Sequence, residues 1–339
     1  MLADLKNKHI LLIVPKFFGY DQLIASRLKS AGAIVTMVYE DMDEVNYRYR
    51  FVHAYLPQYM QKVMNRYYLK RVLPISKTLD YVFLIRGEFL SPEVLEKLKR
   101  NTPSHCKYYM YQWDSVKNNC NAFRIKDYFD RILTFDPVDA KEYGWIYKPL
   151  FYIPELIKKE REDIDVLYLC SLHSKRIVVL NRLKEVCQEK DLKLYKRVYS
   201  KLIVFYKQKY FNRKERYRIA DNADVSSKKM NLAETYELYG RSRIIVDYTH
   251  PGQNGFTMRT IEAFGCGKKL VTNNKNIINA DFYDPNNIFV YDGEKVEIPD
   301  SFICLPYHLP DKEIYEKYSV DFWLASILAA SEFPPIYLG

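Results

Sequence analysis

The chain has 339 residues, 48% of them hydrophobic and 28% charged, with a formal net charge of +10. That length favours two cores over one, and that apolar content excludes a disordered or low-complexity chain. The positive balance implies an anionic partner, and nucleic acid, acidic lipid headgroups and sugar nucleotides all qualify.

Residues 1–6 lack the regions of a secretory signal, and the nearest apolar run, 10–14, has the length of a strand and not of a membrane span. A cytoplasmic protein is therefore expected. The six cysteines show no C-x-x-C pair and no zinc spacing, so buried reduced thiols and no metal are expected.

In chain order, 10–14 reads as a buried strand, followed by a turn at Gly19 and a helix over 21–31. Further strands are predicted at 34–39, 81–85, 107–111 and 131–135, with helical patterns between them. Strands separated by helices imply a parallel, doubly wound sheet, whose ligands sit beyond the carboxyl ends of the strands. Those ends carry Arg86 and Glu88, Asp114 after Trp113, and Asp136. From 152 to 163 the chain turns polar, which predicts a linker. The alternation then restarts: strands at 166–170, 193–195, 244–248, 269–272 and 288–291, helices at 176–189, 233–239 and 257–264, and a last helix at 320–328. The fold class expected is α/β, with two doubly wound Rossmann-like domains and an interdomain cleft. They would span 1–155 and 156–318, and a segment at 319–339 would pack back on the first.

Neither half carries G-x-G-x-x-G or a P-loop after its first strand. The most informative stretch is 236–274. A strand ends in a loop with Gly252, Asn254 and Gly255, and a helix begins near Thr257. Free N–H groups at a helix start make a phosphate site. Arg259 in the first turn can add a charge-assisted bond, and Glu262, on the same face, can accept from a ribose diol. Gly265 and Gly267 should end the helix and let the next strand approach. In the loop after the second half's first strand, Ser171, His173 and Ser174 would face the same phosphates.

This arrangement resembles the donor-binding helix of GT-B glycosyltransferases. More narrowly it resembles the branch related to CgeB-type spore maturation proteins and lipopolysaccharide or capsule transferases. There the helix reads Gly-x-Thr-x-Arg-x-x-Glu-Ala, matched by Gly255, Thr257, Arg259, Glu262 and Ala263. Residues 111–115 and 129–136, and Tyr318, Ser319 and Trp323, resemble that branch too. The resemblance implies a metal-independent transferase. It would move sugar from a nucleotide-sugar donor to a lipid-linked or polysaccharide acceptor in bacterial surface-glycan synthesis, with no cofactor. One departure stands out: Asn254 occupies the place where retaining members carry a second glutamate, which leaves the stereochemistry open.

Each assignment has a plainer rival. Glu262 could be a solvated helix carboxylate, and Arg259 could pair with it. Asp114 is the first candidate for general base and Glu88 the second, but Asp114 could equally cap a helix. Arg86 binds acceptor charge or pairs with Glu88. Asp136, before Pro137, reads better as a cap. Two stretches mix basic and aromatic residues: 47–71, without an acidic residue, and 195–218, with nine basic residues against Glu215. Lys207, Lys209, Arg213 and Lys214 of the second would meet an anionic membrane or the acceptor. The competing functions are an epimerase-like nucleotide-sugar enzyme on the same fold and a basic nucleic-acid-binding protein; no nucleic-acid partner is expected.

Overall fold

The computed structural model describes residues 5–40, 56–172, 175–211, 224–250 and 252–328. They form two compact units. One joins the described residues up to Pro149 with those from Asp321 onward, and the other runs from Leu150 to Val320. The chain changes unit before the polar stretch, not within it. Leu150, Phe151, Tyr152 and Ile153 are all buried. Tyr152 also exchanges backbone bonds with the end of its own unit, its N–H donating to the Tyr318 carbonyl at 2.8 Å and its carbonyl accepting from Val320 at 3.0 Å.

The first unit holds a six-stranded parallel sheet. Its strands are β1 (His9–Val14), β2 (Ile34–Tyr39), β3 (Tyr81–Ile85), β4 (Lys107–Gln112), β5 (Arg131–Thr134) and β6 (Ile146–Tyr147), in the order β2-β1-β3-β4-β5-β6. Continuous apolar runs occupy its centre: all of β1 and β3 after the first residue is buried, whereas the edge strand β2 is mostly half-exposed. The helix Val320–Leu328 packs on this sheet through Trp323, fully buried, with its ring 4.7 Å from that of Tyr111.

The second unit repeats the plan with β7 (Ile164–Ser171), β8 (Leu194–Tyr199), β9 (Val225–Ser226), β10 (Ser242–Asp247), β11 (Lys269–Thr272) and β12 (Ile288–Val290). Their order is β12-β11-β10-β7-β8-β9, all parallel. Successive strands therefore wind outward in both directions from a switch point. It lies between β1 and β3 in the first sheet and between β7 and β10 in the second, and ligands of such sheets bind there.

Two local expectations change. Gly265 sits inside the last turn of the helix Met258–Gly265, and a Cβ there would fall 2.3 Å from the Tyr152 ring, so its smallness serves that contact and not the next strand. Gly267, at φ +62°, makes the turn into β11. Of the six free thiols, Cys120 and Cys304 are exposed and not buried.

Candidate functional site

Asp247 ends β10 at the second switch point and is completely buried. A buried carboxylate needs partners, and four converge on it. Oδ2 accepts from the Thr257, Thr249 and Thr260 hydroxyls at 2.8, 3.3 and 3.4 Å, and Oδ1 accepts from Arg259 Nη1 at 2.5 Å. Its carbonyl accepts from the Tyr291 hydroxyl at 3.1 Å. Thr257 is also the N-cap of Met258–Gly265, its Oγ1 accepting from the Thr260 amide at 3.1 Å. One carboxylate thus fixes the start of the helix against the end of the strand.

Arg259 belongs to that first turn. Burial disfavours its charge, but Asp247 beside it more than offsets the loss and holds the guanidinium above its ordinary range. Its Nε is buried and finds no hydrogen-bond partner among the described residues. Arg176, which opens the helix Arg176–Glu189 after β7, shares the electrostatics. Burial and the Arg259 charge push it down, and Asp247 draws it up. Two guanidiniums and one internal carboxylate therefore sit where the sheet's winding reverses. A cation so placed, with a donor uncommitted, is suited to an anionic ligand.

Glu262 follows Arg259 in the same helix. It is 2% exposed and accepts from the Tyr239 hydroxyl at 3.0 Å. It is therefore not a solvated helix carboxylate. The preceding loop is pinned by side-chain amides: Asn276 Nδ2 donates to the Asn254 carbonyl and Asn274 Nδ2 to that of Gly255, each at 3.1 Å. The Gly252 amide donates to His250 Nδ1 at 3.2 Å. Ser171 ends β7, half-buried, while His173 and Ser174 lie outside the described residues.

In the first unit, Arg86, Glu88 and Asp114 come together. Arg86 Nη2 bonds Glu88 Oε2, and Arg86 Nε lies 3.2 Å from Asp114 Oδ2. Asp114 caps no helix, since the next one begins at Asn121 behind Cys120. Arg86 stands at φ +75°, strained for a side chain of its size. Gln112 and Asn119 amides hold its carbonyl at 2.8 and 2.7 Å. A pocket opens beside it at the first switch point, lined among others by Phe17, Tyr20, Asp21, Arg86, Trp113 and Asp114.

Lys207 and Lys209 lie on the helix Leu202–Phe211, Lys207 exposed and Lys209 over the Phe205 ring at 5.5 Å. Arg213 and Lys214 lie outside the described residues. Two cations of the 195–218 stretch are used internally: Lys196 pairs with Asp224 at 3.3 Å, and Arg197 bonds the Ser226 hydroxyl at 2.9 Å. No described helix is long and apolar enough to cross a membrane. Among the described residues no group of three or more His, Cys, Asp or Glu side chains is placed to hold a metal ion.

Sequence reasoning passed over Asp247, Arg176 and Asp21. Asp247 had a signal, a carboxylate closing an apolar strand, but its three threonine partners are spread over twelve residues. Arg176 reads as an ordinary helix start. Asp21 reads as a first-turn helix carboxylate.

No protein-family model matches the sequence, and no curated protein matches it significantly. Solved structures do match. HepE of Anabaena, solved with UDP-glucose, aligns at 12% identity and a TM-score of 0.59 over 94% of this chain and 98% of its own. A Listeria monocytogenes protein assigned as a UDP-N-acetylglucosamine 2-epimerase aligns at 10% and 0.54 over 98% and 100%. Sucrose-phosphate synthase of Thermosynechococcus elongatus aligns at 10% and 0.52 over 84% and 86%. With two parallel six-stranded sheets, each wound about a switch point, these full-length matches give the chain the GT-B fold of two Rossmann-like domains.

Proposed function

We propose that the protein is a glycosyltransferase whose second unit binds a nucleotide-sugar. The observation that carries this reading is Arg259, half-buried and tied to Asp247, whose buried Nε finds no partner among the described residues at a helix start on the switch point. HepE, of the same fold, was solved with UDP-glucose, which agrees with it. The amides at the start of Met258–Gly265, with Arg259 and Arg176, stabilise the charge that develops on the leaving phosphate, so the reaction needs no divalent cation. Glu262 accepts from the ribose once the Tyr239 contact yields. In the first unit Asp114 and Glu88 are the candidates for general base, with Arg86 holding both.

The acceptor is a lipid-linked or polysaccharide glycan of the bacterial surface, lipopolysaccharide or capsule, and the protein belongs to the CgeB-like branch. It works at the inner face of the cytoplasmic membrane, which the basic, aromatic helix Leu202–Phe211 touches. The test is a panel of UDP-, GDP-, ADP- and CMP-sugars, followed by sugar release or transfer with and without EDTA. Turnover of one donor that survives EDTA is expected. Activity lost in EDTA and restored by manganese or magnesium overturns the mechanism. Epimerisation of the sugar with no acceptor dependence replaces the function with that of an epimerase, the activity assigned to the Listeria protein.

A further inference from the structure

We infer that the pocket at the first switch point is a subsite for a neutral sugar ring, stacked on the aromatic wall formed by Phe17 and Trp113. The inference rests on the reading that the chain acts on glycans and names the chemistry of the residue it accepts.

Three elements build the wall. The loop after β1 carries Phe17, the helix Tyr20–Ser30 begins with Tyr20, and Trp113 follows β4. The Phe17 ring lies 5.8 Å from Trp113 and 6.0 Å from Tyr20, and Tyr20 lies 5.9 Å from Trp113. Tyr20 is buried behind them, but Phe17 is 38% exposed, and neighbouring Phe18 is 45% exposed at φ +48°. Two adjacent phenylalanines held open beside a pocket incur a hydration cost that a ligand can relieve. The face of a pyranose carries C–H groups, weakly positive, that suit the negative face of an aromatic ring.

The polar side of the pocket selects among sugars. Its lining carries two carboxylates, Asp21 and Asp114, against one guanidinium, Arg86. Glu88 claims that guanidinium as well, at hydrogen-bond contact. Asp21 is 3% exposed and accepts from the Tyr39 hydroxyl at 3.0 Å, and Lys16 is drawn over the Tyr39 ring at 5.7 Å. Among the described residues the balance at the rim is acidic, Asp21, Glu88 and Asp114 against Lys16 and Arg86. Carboxylates accept from sugar hydroxyls, and this excess repels a uronate or a phosphorylated sugar.

Saturation-transfer NMR on the full chain tests this with methyl glycosides of glucose, galactose, mannose and N-acetylglucosamine beside glucuronide and galacturonide. At least one neutral glycoside should bind at least tenfold more tightly than its uronide. Phe17→Ala should remove that binding, and Asp114→Asn should narrow the preference over the uronide. Binding of nucleotides, measured in the same samples, should be unchanged in Phe17→Ala. Absence of transfer to every neutral glycoside, equal binding of the uronides, or competition by a free nucleoside overturns the inference. Loss of nucleotide binding in the wild-type chain is a separate failure, of the glycosyltransferase reading.

Discussion

Arg259 and Asp247 are joined by a 2.5 Å bond between the first turn of a helix and the last residue of a buried strand. The pair aligns the guanidinium while leaving Nε uncommitted. Arg259→Lys keeps the charge but loses the planar fork, so the fold should persist while nucleotide affinity falls about tenfold, roughly 1.4 kcal/mol. Asp247→Ala leaves Arg259 charged and without this partner in a largely buried place, which costs about 2–4 kcal/mol of stability. Nucleotide titration and thermal melting read the two effects separately. Affinity within twofold of wild type in a folded Arg259→Lys chain contradicts the phosphate role.

Glu262 requires a two-part test because it is buried against Tyr239 and not open to solvent. Glu262→Gln keeps the shape and loses charge-assisted bonds to the ribose, so nucleotide affinity should drop by about 1.5–3 kcal/mol. Tyr239→Phe removes one internal donor to Glu262, and affinity should stay within a fewfold of wild type. A purely structural glutamate would show the reverse: melting would fall equally in both variants, and nucleotide binding would move in neither.

Asp139 supplies a pH dependence unconnected with ligand. It is 6% exposed in the helix Pro137–Tyr143 and accepts from the Val116 amide at 2.7 Å. Burial raises its carboxyl to about 6, against the Val116 bond, with the Asp136 charge adding to the rise. The folded chain therefore binds this proton more tightly than the unfolded one. Stability falls as pH rises from about 4 through about 6 and is level above, by an amount on the order of 2–3 kcal/mol. Asp139→Asn retains an oxygen for Val116 and removes the charge, so it should raise the melting temperature at pH 7.5 and leave it nearly unchanged at pH 4. An unaltered melting profile across that range rules the account out.

The parts legible in the sequence share a physical cause. A strand buried on both faces must be a continuous apolar run, so the predicted bounds 81–85 and 269–272 match β3 and β11. A proline after an aspartate is a local signal, and Asp136 caps its helix by accepting from the Val138 and Asp139 amides. Local signals end where tertiary pairing begins. Nothing near Arg259 says that it bonds Asp247, twelve residues earlier at the end of a strand. Glu88 and Asp114 are 26 residues apart in sequence, and only β3 and β4 lying side by side lets Arg86 hold both. The two-residue strands β6 and β9 carry too little pattern to be read at all.

The helix Leu202–Phe211 exposes several large apolar and aromatic side chains. Phe205 is buried at 3% exposure, while Leu202, Ile203, Tyr206 and Tyr210 are 53%, 68%, 48% and 61% exposed. Tyr206 and Tyr210 stack at 6.2 Å, and Lys207 in the helix and Lys201 just before it are exposed. Apolar and aromatic side chains with lysines around them match the layer between headgroups and acyl chains. Each basic residue near an anionic surface contributes about 1 kcal/mol, screened by salt. The chain should therefore sediment with vesicles containing phosphatidylglycerol at low salt, less at high salt, and not with phosphatidylcholine alone. Ile203→Glu with Lys207→Glu should abolish sedimentation, as should reversal of Lys207, Lys209, Arg213 and Lys214 together. Neither should weaken nucleotide binding, since Asp247 and Arg259 lie on other elements. Equal binding to neutral and anionic vesicles, or none to either at low salt, removes the membrane from the proposed function and leaves the exposed face as a contact for another protein.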